Sequence, residues 1–368
     1  MALKVGVVGI RGIGNQHVAV HARDGLADLV AVCDLVKERA ETAAAKYGVR
    51  AYGRLRDMLA NEPDLAIVDV TTGGDENGSW HYEPAMEALE AGKHVLVEKP
   101  LSSDVRQARE MVAKAAQKKV YLGCNLNHYF TPTAERAKQY MDDGDIGELV
   151  YCLTKMGFQG GEPAQQRTGS AATATGFPYF HLKAFLSHPF SVMRYFCGDV
   201  THVQAFLNRP GFRRTAGDVM LSTASVHLQF ANGSVGYLLS QRGDVSYGLG
   251  GWWSVEVAGT RGTFCIENCI ERLTYWKAPA AGGPGRALDR DPNAAGGPVV
   301  TASGTADFQQ TFGRRIHAFL EDVTNNVPRE QFRASGRDAL AALEYTWAVM
   351  ESYEQGGALV RPHPLPPR

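Results

Sequence analysis

The sequence lacks several features that would point to a specialised class of protein. Charge of neither sign dominates, because 38 Lys and Arg residues face 39 Asp and Glu residues, so nothing indicates a nucleic-acid or membrane-surface partner. No apolar run approaches the length of a membrane span, and no signal-like region precedes the first strand-like segment. The six cysteines include no CxxC pair, which argues against a zinc site and favours reduced thiols. We therefore expect a cytoplasmic protein with no metal.

The first 34 residues carry the pattern of a dinucleotide-binding unit. An apolar strand over Val5–Val8 leads into a turn with Gly9, Gly12 and Gly14, and after a helical segment a second apolar strand ends on Asp34. Glycines let the backbone approach a pyrophosphate, and the helix N-terminus offers unpaired N–H groups. Asp34 stands where a carboxylate accepts hydrogen bonds from the ribose hydroxyls and would repel a 2′-phosphate. The pattern thus predicts NAD as cofactor.

One position departs from the strict G-x-G-x-x-G form, because Arg11 occupies the second glycine position. Its guanidinium could lie on a phosphate or point to solvent, which keeps NADP as an alternative cofactor. Thr71 and Thr72 open a polar, glycine-rich loop after an apolar strand, at the sheet edge where ligands bind. The predicted cofactor contacts are Gly9, Arg11, Gly12, Ile13, Gly14, Asp34, Thr71, Thr72, His81, Glu98 and Lys99.

The 368 residues fall into two parts with different patterns of predicted strands and helices. Strand-like and helix-like segments alternate up to residue 122, which predicts a doubly wound parallel sheet of the Rossmann type in residues 1–124. In residues 125–368 strand alternation dominates, with a hairpin turn at Asn232-Gly233, and two helices close the chain. This part predicts an α+β domain with a large open, mainly antiparallel sheet. Residues 278–306 are rich in Ala, Gly and Pro, which predicts a surface loop.

Four segments together resemble the family of glucose–fructose oxidoreductase, inositol dehydrogenase and MocA. They are VGVVGIRGIG, AVCDLVKERAE, HYEPAMEALEAGKHVLVEKPL and VEVAGTRGTF. The most specific part is AGKHVLVEKP at residues 91–100. The resemblance implies a nicotinamide-binding domain, a mixed C-terminal domain, and oxidation or reduction of a sugar or cyclitol. It also implies a homodimer or homotetramer that associates through the open face of the C-terminal sheet.

Oxidation of a secondary alcohol needs a group that takes the hydroxyl proton, and a cation beside the developing alkoxide helps. Lys99 follows a predicted strand at the carboxyl edge of the sheet, between Glu98 and Pro100. The resemblance implies that Lys99 hydrogen-bonds the reacting hydroxyl and the cofactor side of the site. A surface lysine is the alternative, since most lysines are exposed.

A second catalytic group is expected between residues 181 and 199. The family has Asp, then His four residues later, then Gly after ten more; His188 and Gly198 keep the second spacing. Ala184 stands where the Asp belongs, so the usual carboxylate partner is missing. We predict His188 as general base or acid, against a hydrogen-bonded structural histidine. Either another residue tunes His188, or Lys99 moves the proton with water.

Further substrate contacts are predicted around these two residues. On a helix over residues 181–188, His181 shares a face with His188 and is a third catalytic candidate, whereas Lys183 points away from it. The triplet at residues 127–129 follows the first domain and falls where the family has substrate-cleft residues, with structural roles as the alternative. The predicted substrate set is Lys99, Asn127, His128, Tyr129, His181, Lys183 and His188.

These observations predict an NAD-dependent dehydrogenase of a sugar, sugar derivative or cyclitol. The alternative enzyme class retains the cofactor and oxidises a sugar carbon transiently, for glycosidic cleavage or epimerisation, and the missing carboxylate at Ala184 keeps it open. A nucleotide sensor without catalysis would predict decay of the motif around Lys99, which is intact.

Overall fold

The computed structural model of the chain describes residues 2–158, 177–209, 219–242, 251–278, 297–302 and 307–367. These residues form two sheets, one of six strands and one of eight. The six-stranded sheet comes entirely from the N-terminal part of the chain. The eight-stranded sheet follows it in the sequence.

The N-terminal sheet is parallel throughout and runs in the order β3-β2-β1-β4-β5-β6. Its strands are β1 Leu3–Val8, β2 Ala27–Cys33, β3 Arg50–Tyr52, β4 Ile67–Val70, β5 His94–Val97 and β6 Leu122–Cys124. The helices between them are α1 Ile13–His21, α2 Lys37–Tyr47, α3 Leu55–Asn61, α4 Tyr82–Glu90 and α5 Val105–Lys118. This order reverses between β1 and β4, and ligands of such sheets bind in the crevice at that point. The predicted doubly wound sheet is confirmed.

The eight-stranded sheet runs in the order β14-β13-β12-β11-β7-β10-β9-β8. Its strands are β7 Leu149–Phe158, β8 Val200–Asn208, β9 Thr223–Phe230, β10 Val235–Arg242, β11 Trp253–Gly259, β12 Gly262–Glu267, β13 Arg272–Lys277 and β14 Val299–Ala302. All neighbouring pairs are antiparallel except β7 and β10, which are parallel. The predicted large, mainly antiparallel sheet is therefore confirmed.

Six helices of the second half lie within the described residues. They are a 3₁₀ helix Asn127–Tyr129, α6 Pro132–Asp142, α7 Phe180–Phe185, α8 Ser187–Cys197, α9 Gln310–Thr324 and α10 Gly336–Glu354. Helices α8 and α10 cover one face of the eight-stranded sheet. Helix α9 returns to the N-terminal sheet, where Ile316 and Phe319 share an apolar core with Val5 and Val7. The division between residues 124 and 125 stays a prediction.

The surface loop predicted over residues 278–306 is wrong for its last part. Val299–Ala302 forms β14 and pairs with β13, because its β-branched residues extend the sheet at that edge. Residues 279–296 and 303–306 lie outside the described ranges. The hairpin predicted at Asn232-Gly233 is confirmed, since it joins the antiparallel strands β9 and β10 and Gly233 has φ +89°.

Candidate active site

The glycine turn lies between β1 and α1 and packs closely on its inner side. Gly9 has φ +97°, and a Cβ built on it would lie 2.7 Å from the backbone nitrogen of Thr72. A Cβ on Gly14 would lie 1.9 Å from the carbonyl oxygen of Gly9. A Cβ on Gly12, in contrast, would meet nothing within 4 Å. The turn therefore presents bare backbone to open space at the start of a helix, which fits the pyrophosphate of a dinucleotide.

Asp34 follows β2 and its carboxylate is held firmly in place. One oxygen accepts a hydrogen bond from the backbone N–H of Ile10 at 2.7 Å, and the other accepts one from Val36 at 2.8 Å. Carboxylate oxygens retain further lone pairs for ribose hydroxyls. The guanidinium of Arg39 lies 3.7 Å away, and the side chain of Arg11 is exposed on the turn.

The next three predicted cofactor contacts hold the loops around this turn. Thr71 donates through Oγ1 to the carbonyl oxygen of Gly9 at 2.8 Å, and Thr72 donates to that of Trp80 at 2.7 Å. His81 is buried, and its Nδ1 lies 2.7 Å from the carbonyl oxygen of Pro100. Burial lowers the pKa of His81, so its imidazole is neutral and donates from Nδ1. Their contacts to the cofactor, like those of Ile13 at the start of α1, stay predictions.

Lys99 lies at the carboxyl end of β5, before a cis peptide bond to Pro100. Its Nζ lies 3.4 Å from the carbonyl oxygen of Ala184 and 5.0 Å from the ring centre of Phe185. Burial lowers the pKa of Lys99, although the neighbouring Glu98 carboxylate opposes that shift. The alternative of an exposed surface lysine is wrong. The ammonium instead reaches the backbone of Ala184, the position at which the resemblance implies an Asp.

His188 and His128 meet although they lie in different elements. Their rings are parallel, with centroids 3.6 Å apart, and both side chains are buried. Neither Nδ1 has a hydrogen-bond partner in the described part of the chain. Burial and then the charge of Lys99 lower the pKa of His128 to about 3; burial, His128 and Lys99 hold that of His188 well below its usual value. Both imidazoles are therefore neutral at pH 7.

The two other predicted residues of this segment lie in α7, which Leu186 alone separates from α8. His181 is buried, with Nε2 3.0 Å from Oγ of Ser240. Its ring also packs on Phe185, the residue that Lys99 approaches. Lys183 instead forms an ion pair with Glu76, at 3.1 Å, on the loop after β4. His181 thus faces the site around Lys99, whereas Lys183 ties α7 to the N-terminal domain.

In the triplet at residues 127–129, His128 is the residue whose ring stacks on His188. Asn127 donates through Nδ2 to Oγ1 of Thr311 at 2.6 Å, and it is buried. Tyr129 is also buried, and its ring stacks on Tyr195 with centroids 4.7 Å apart. Asn127 and Tyr129 therefore have partners within the protein, and their contacts to a substrate stay predictions.

Arg242, at the end of β10, is a site residue that sequence reasoning missed. Its guanidinium lies 4.8 Å from the ring centre of Phe185, so Arg242 and Lys99 contact the same ring. The charge of Arg242 also contributes to the lowered pKa of Lys99. Trp253 and Phe308 stand edge-on to His128, with centroids 5.8 and 5.3 Å away. The strand predicted over residues 234–241 ends one residue before Arg242, and its pattern gives no indication that Arg242 reaches this site.

A second feature that the sequence patterns did not predict is a buried cluster of charged and polar side chains that includes Glu98. It comprises His17 and His21 of α1, Asp69 of β4, Glu98 and Asn125, all at most 5% exposed. The pattern did contain a weak indication, because Asp69 interrupts an apolar strand and the two histidines are spaced i, i+4 on one helix face.

Two features concern other classes of function. Among the described residues, no helix is long and apolar enough to cross a bilayer. Within the same ranges, no group of three or more His, Cys, Asp or Glu side chains is arranged to hold a metal ion.

Comparison with known proteins gives matches over both parts of the chain. Residues 3–126 match the model described as an oxidoreductase family with an NAD-binding Rossmann fold, and residues 134–265 match the GFO/IDH/MocA C-terminal domain. An inositol 2-dehydrogenase/D-chiro-inositol 3-dehydrogenase of Lactiplantibacillus plantarum is 35% identical over 151 residues, which are 39% of this chain and 41% of that enzyme. The first curated relatives are thus matched over about two fifths of their length.

Longer matches have lower identity. The levoglucosan dehydrogenase of Pseudarthrobacter phenanthrenivorans is 24% identical over 72% of this chain and 73% of its own length. The crystal structure of an NAD binding oxidoreductase from Klebsiella pneumoniae superposes with a TM-score of 0.82 at 22% identity, covering 99% of this chain and 100% of that one. This last likeness shows the fold. The two matched models establish that the chain belongs to the GFO/IDH/MocA family, with an NAD-binding Rossmann domain followed by the family's C-terminal domain.

Proposed function

We propose that this protein is a dehydrogenase that oxidises a secondary alcohol of a sugar, sugar derivative or cyclitol with NAD. The observation that carries the proposal is the position of Lys99, whose ammonium reaches across from the carboxyl edge of the Rossmann sheet to Ala184 on α7. A cation at that edge can bind a hydroxyl oxygen and stabilise an alkoxide as it forms. The names of the relatives, an inositol dehydrogenase and a levoglucosan dehydrogenase, support a cyclitol or sugar as substrate.

The cofactor contacts follow from the glycine turn and Asp34. The bare backbone at Gly12 and the start of α1 would hold the pyrophosphate, and Asp34 would accept the ribose hydroxyls. NAD bound there would supply the ring that accepts a hydride. Asp34 favours NAD over NADP, because a 2′-phosphate beside its carboxylate is repelled.

Lys99 is the group we assign to the proton of the substrate hydroxyl. A general base needs a pKa near the working pH in order to accept a proton. The pKa values of His128 and His188 are lowered, so both imidazoles are poor proton acceptors. Burial lowers the pKa of Lys99 as well, which brings its amine form closer to neutral pH. His188 and His128 then act as neutral hydrogen-bond partners that orient the hydroxyls, with His181 and Arg242 at the side of the same site. The segments around the site are held in place by contacts of Asn127, Tyr129 and Lys183 within the protein.

A steady-state assay tests this function. The protein is incubated with NAD and a panel of inositols, anhydrosugars and hexoses while the absorbance of reduced nicotinamide is followed. We expect steady reduction with at least one polyol, and a loss of about a hundredfold or more for Lys99→Ala. Lys118→Ala is the matched control, since Lys118 is exposed and bonds only the Glu90 carbonyl in the described structure.

Other outcomes of this assay separate the alternatives. Altered sugar without net reduction of NAD would indicate transient oxidation with a retained cofactor. Binding of NAD without turnover of any polyol, or full activity of Lys99→Ala, would contradict the proposed dehydrogenase.

The same proposal includes a homo-oligomer formed through the eight-stranded sheet. Leu153, Phe206 and Val235 project from the same face of β7, β8 and β10 and are 44%, 58% and 53% exposed. Exposed apolar side chains grouped on one face favour association with another surface. A second copy of the chain is the partner implied by the family resemblance.

A further inference from the structure

A chain of buried charges connects the interior of the N-terminal sheet to Lys99. On His17, Nδ1 lies 2.8 Å from an oxygen of Asp69 and Nε2 lies 3.0 Å from an oxygen of Glu98. The His17 and Asp69 side chains are fully buried, and Glu98 is nearly so. A neutral imidazole has one N–H donor, whereas two carboxylates on opposite ring nitrogens need two donors. The amide nitrogen of Asn125 also lies 3.3 Å from Nε2, but it is closer to the Glu98 oxygen and donates there. Nε2 is therefore left to donate to Glu98, and the geometry fits an imidazolium at His17.

The second oxygen of Glu98 contacts the backbone of Lys99. It accepts a hydrogen bond from the backbone N–H of Lys99 at 3.0 Å, while the first oxygen also accepts one from Asn125. At the other end, Nε2 of His21 lies 2.8 Å from the Asp69 oxygen that faces His17. Glu98 is thus fixed on both sides, and its orientation depends on His17.

The ionisation of these groups agrees with the geometry. Burial alone would lower the pKa of His17, but Asp69 and Glu98 outweigh it and raise that pKa to about 10. Burial opposes ionisation of Glu98, but the hydrogen bond and charge of His17, with Lys99 and Asn125, hold the pKa of Glu98 below its usual range. Both groups are therefore charged at pH 7.

We propose that His17 is a positioning residue for Lys99: as a buried imidazolium it keeps Glu98 ionised and oriented, and so maintains a negative charge beside the Lys99 ammonium. The inference deepens the proposed role of Lys99 in proton transfer. Without such a charge, a cation at this place is destabilised by burial and by the nearby guanidinium of Arg242. The titratable and charged groups that face Lys99 are Glu98, Arg242, Cys124, His81, His128 and His188. Among these six groups, Glu98 is the one that carries a negative charge as a carboxylate.

Titration of Lys99 by ¹⁵N NMR in the full chain, without cofactor or substrate, tests this inference. The Lys99 signal is identified by its loss in Lys99→Arg. In His17→Gln we expect the Lys99 midpoint to fall by about one pH unit or more, a roughly tenfold change in the ammonium to amine ratio. The matched control is His317→Gln, whose ring pairs with Asp24 at the surface and which should leave the midpoint unchanged. A folded His17→Gln protein with an unshifted Lys99 midpoint overturns the inference.

Two further measurements apply if His17→Gln does not fold. Glu98→Gln keeps the shape of the side chain and removes the charge, and it should shift the Lys99 midpoint in the same direction. In the wild-type protein, the ring nitrogens of His17 should keep imidazolium shifts at neutral pH. An unshifted midpoint in Glu98→Gln, or a neutral His17, overturns the inference. Because these readouts need no turnover, they stand apart from the dehydrogenase assay, whose failure would leave the link between His17 and Lys99 intact.

Discussion

The imidazole rings of His128 and His188 lie parallel, at 6° between their planes, with 3.6 Å between their centroids. A proton on one ring would place a cation against the face of the other and near the ammonium of Lys99. This arrangement differs from a His–Asp pair, in which the carboxylate stabilises an imidazolium. Ala184, at the position of the expected Asp, contributes only its carbonyl oxygen, which faces Lys99. This arrangement is the reason we assign the proton of the substrate hydroxyl to Lys99 in the proposed function.

We predict that the pH dependence of alcohol oxidation reports Lys99. Because the amine form accepts the proton, the rate should rise with pH through the pKa of Lys99, which lies below its usual value of 10.5. His188 is already neutral well below pH 6.5 and adds no step there. The measurement is log kcat/KM against pH for the wild type and His188→Asn. Both profiles should rise at the same pH, with a lower plateau for the variant; a step near pH 6.5 that disappears in His188→Asn would identify His188 as the base.

Asp34→Ala should weaken NAD more than NADP. The substitution removes the acceptor for the ribose hydroxyls and the repulsion of a 2′-phosphate, and it leaves Arg39 nearby. Titration of each dinucleotide by calorimetry measures the effect. Asp28→Ala, at an exposed position of the same strand, is the control. An equal loss of affinity for both dinucleotides would contradict the ribose role of Asp34.

Gly14→Ala should lower both stability and NAD affinity. Its methyl group would lie 1.9 Å from the Gly9 carbonyl oxygen and 2.7 Å from Oγ1 of Thr71, so the turn must shift. Such overpacking costs about 1–3 kcal/mol of the free energy of unfolding. Gly25→Ala is the matched control, because its methyl group would meet nothing within 4 Å. Urea unfolding measures the stability, and NAD titration measures the affinity. If Gly14→Ala kept the wild-type stability and affinity, the turn would have room for the methyl group and the prediction would be wrong.

Leu153→Asp should dissociate the oligomer and leave each subunit folded. Leu153 is on the outward face of β7, where a carboxylate is well solvated in a single subunit and costly in a covered interface. Size-exclusion chromatography with light scattering gives the mass before and after the substitution. Lys37→Asp, at the exposed first position of α2 and outside the eight-stranded sheet, is the control. A wild-type protein that is monomeric at all concentrations would remove the sheet face as an interface.

The N-terminal fold and the place of Lys99 could be predicted because their patterns are local. Alternating strands and helices, the spacing of Gly9 and Gly14 and the acid at Asp34 each act within a few elements of the chain. A parallel βαβ unit brings the carboxyl ends of its strands to one edge. Any polar residue that follows such a strand, as Lys99 follows β5, therefore reaches the cofactor edge. The composition of residues 278–306 does not predict β14, because this strand forms only by pairing with β13 outside that segment.

The sequence by itself determined that this protein has a glycine turn after β1, an acid after β2 and a lysine at the sheet edge. Only the tertiary structure decided which groups surround that lysine. His128 and His188 come from separate helices, Arg242 from the end of β10, and His17 meets Asp69 and Glu98 across 52 and 81 positions of sequence. Such contacts follow from how helices pack on two sheets, and local patterns do not record them. The same packing withdraws these groups from water. Burial therefore lowers the pKa values of Lys99, His128 and His188, whereas Asp69 and Glu98 outweigh burial and raise that of His17.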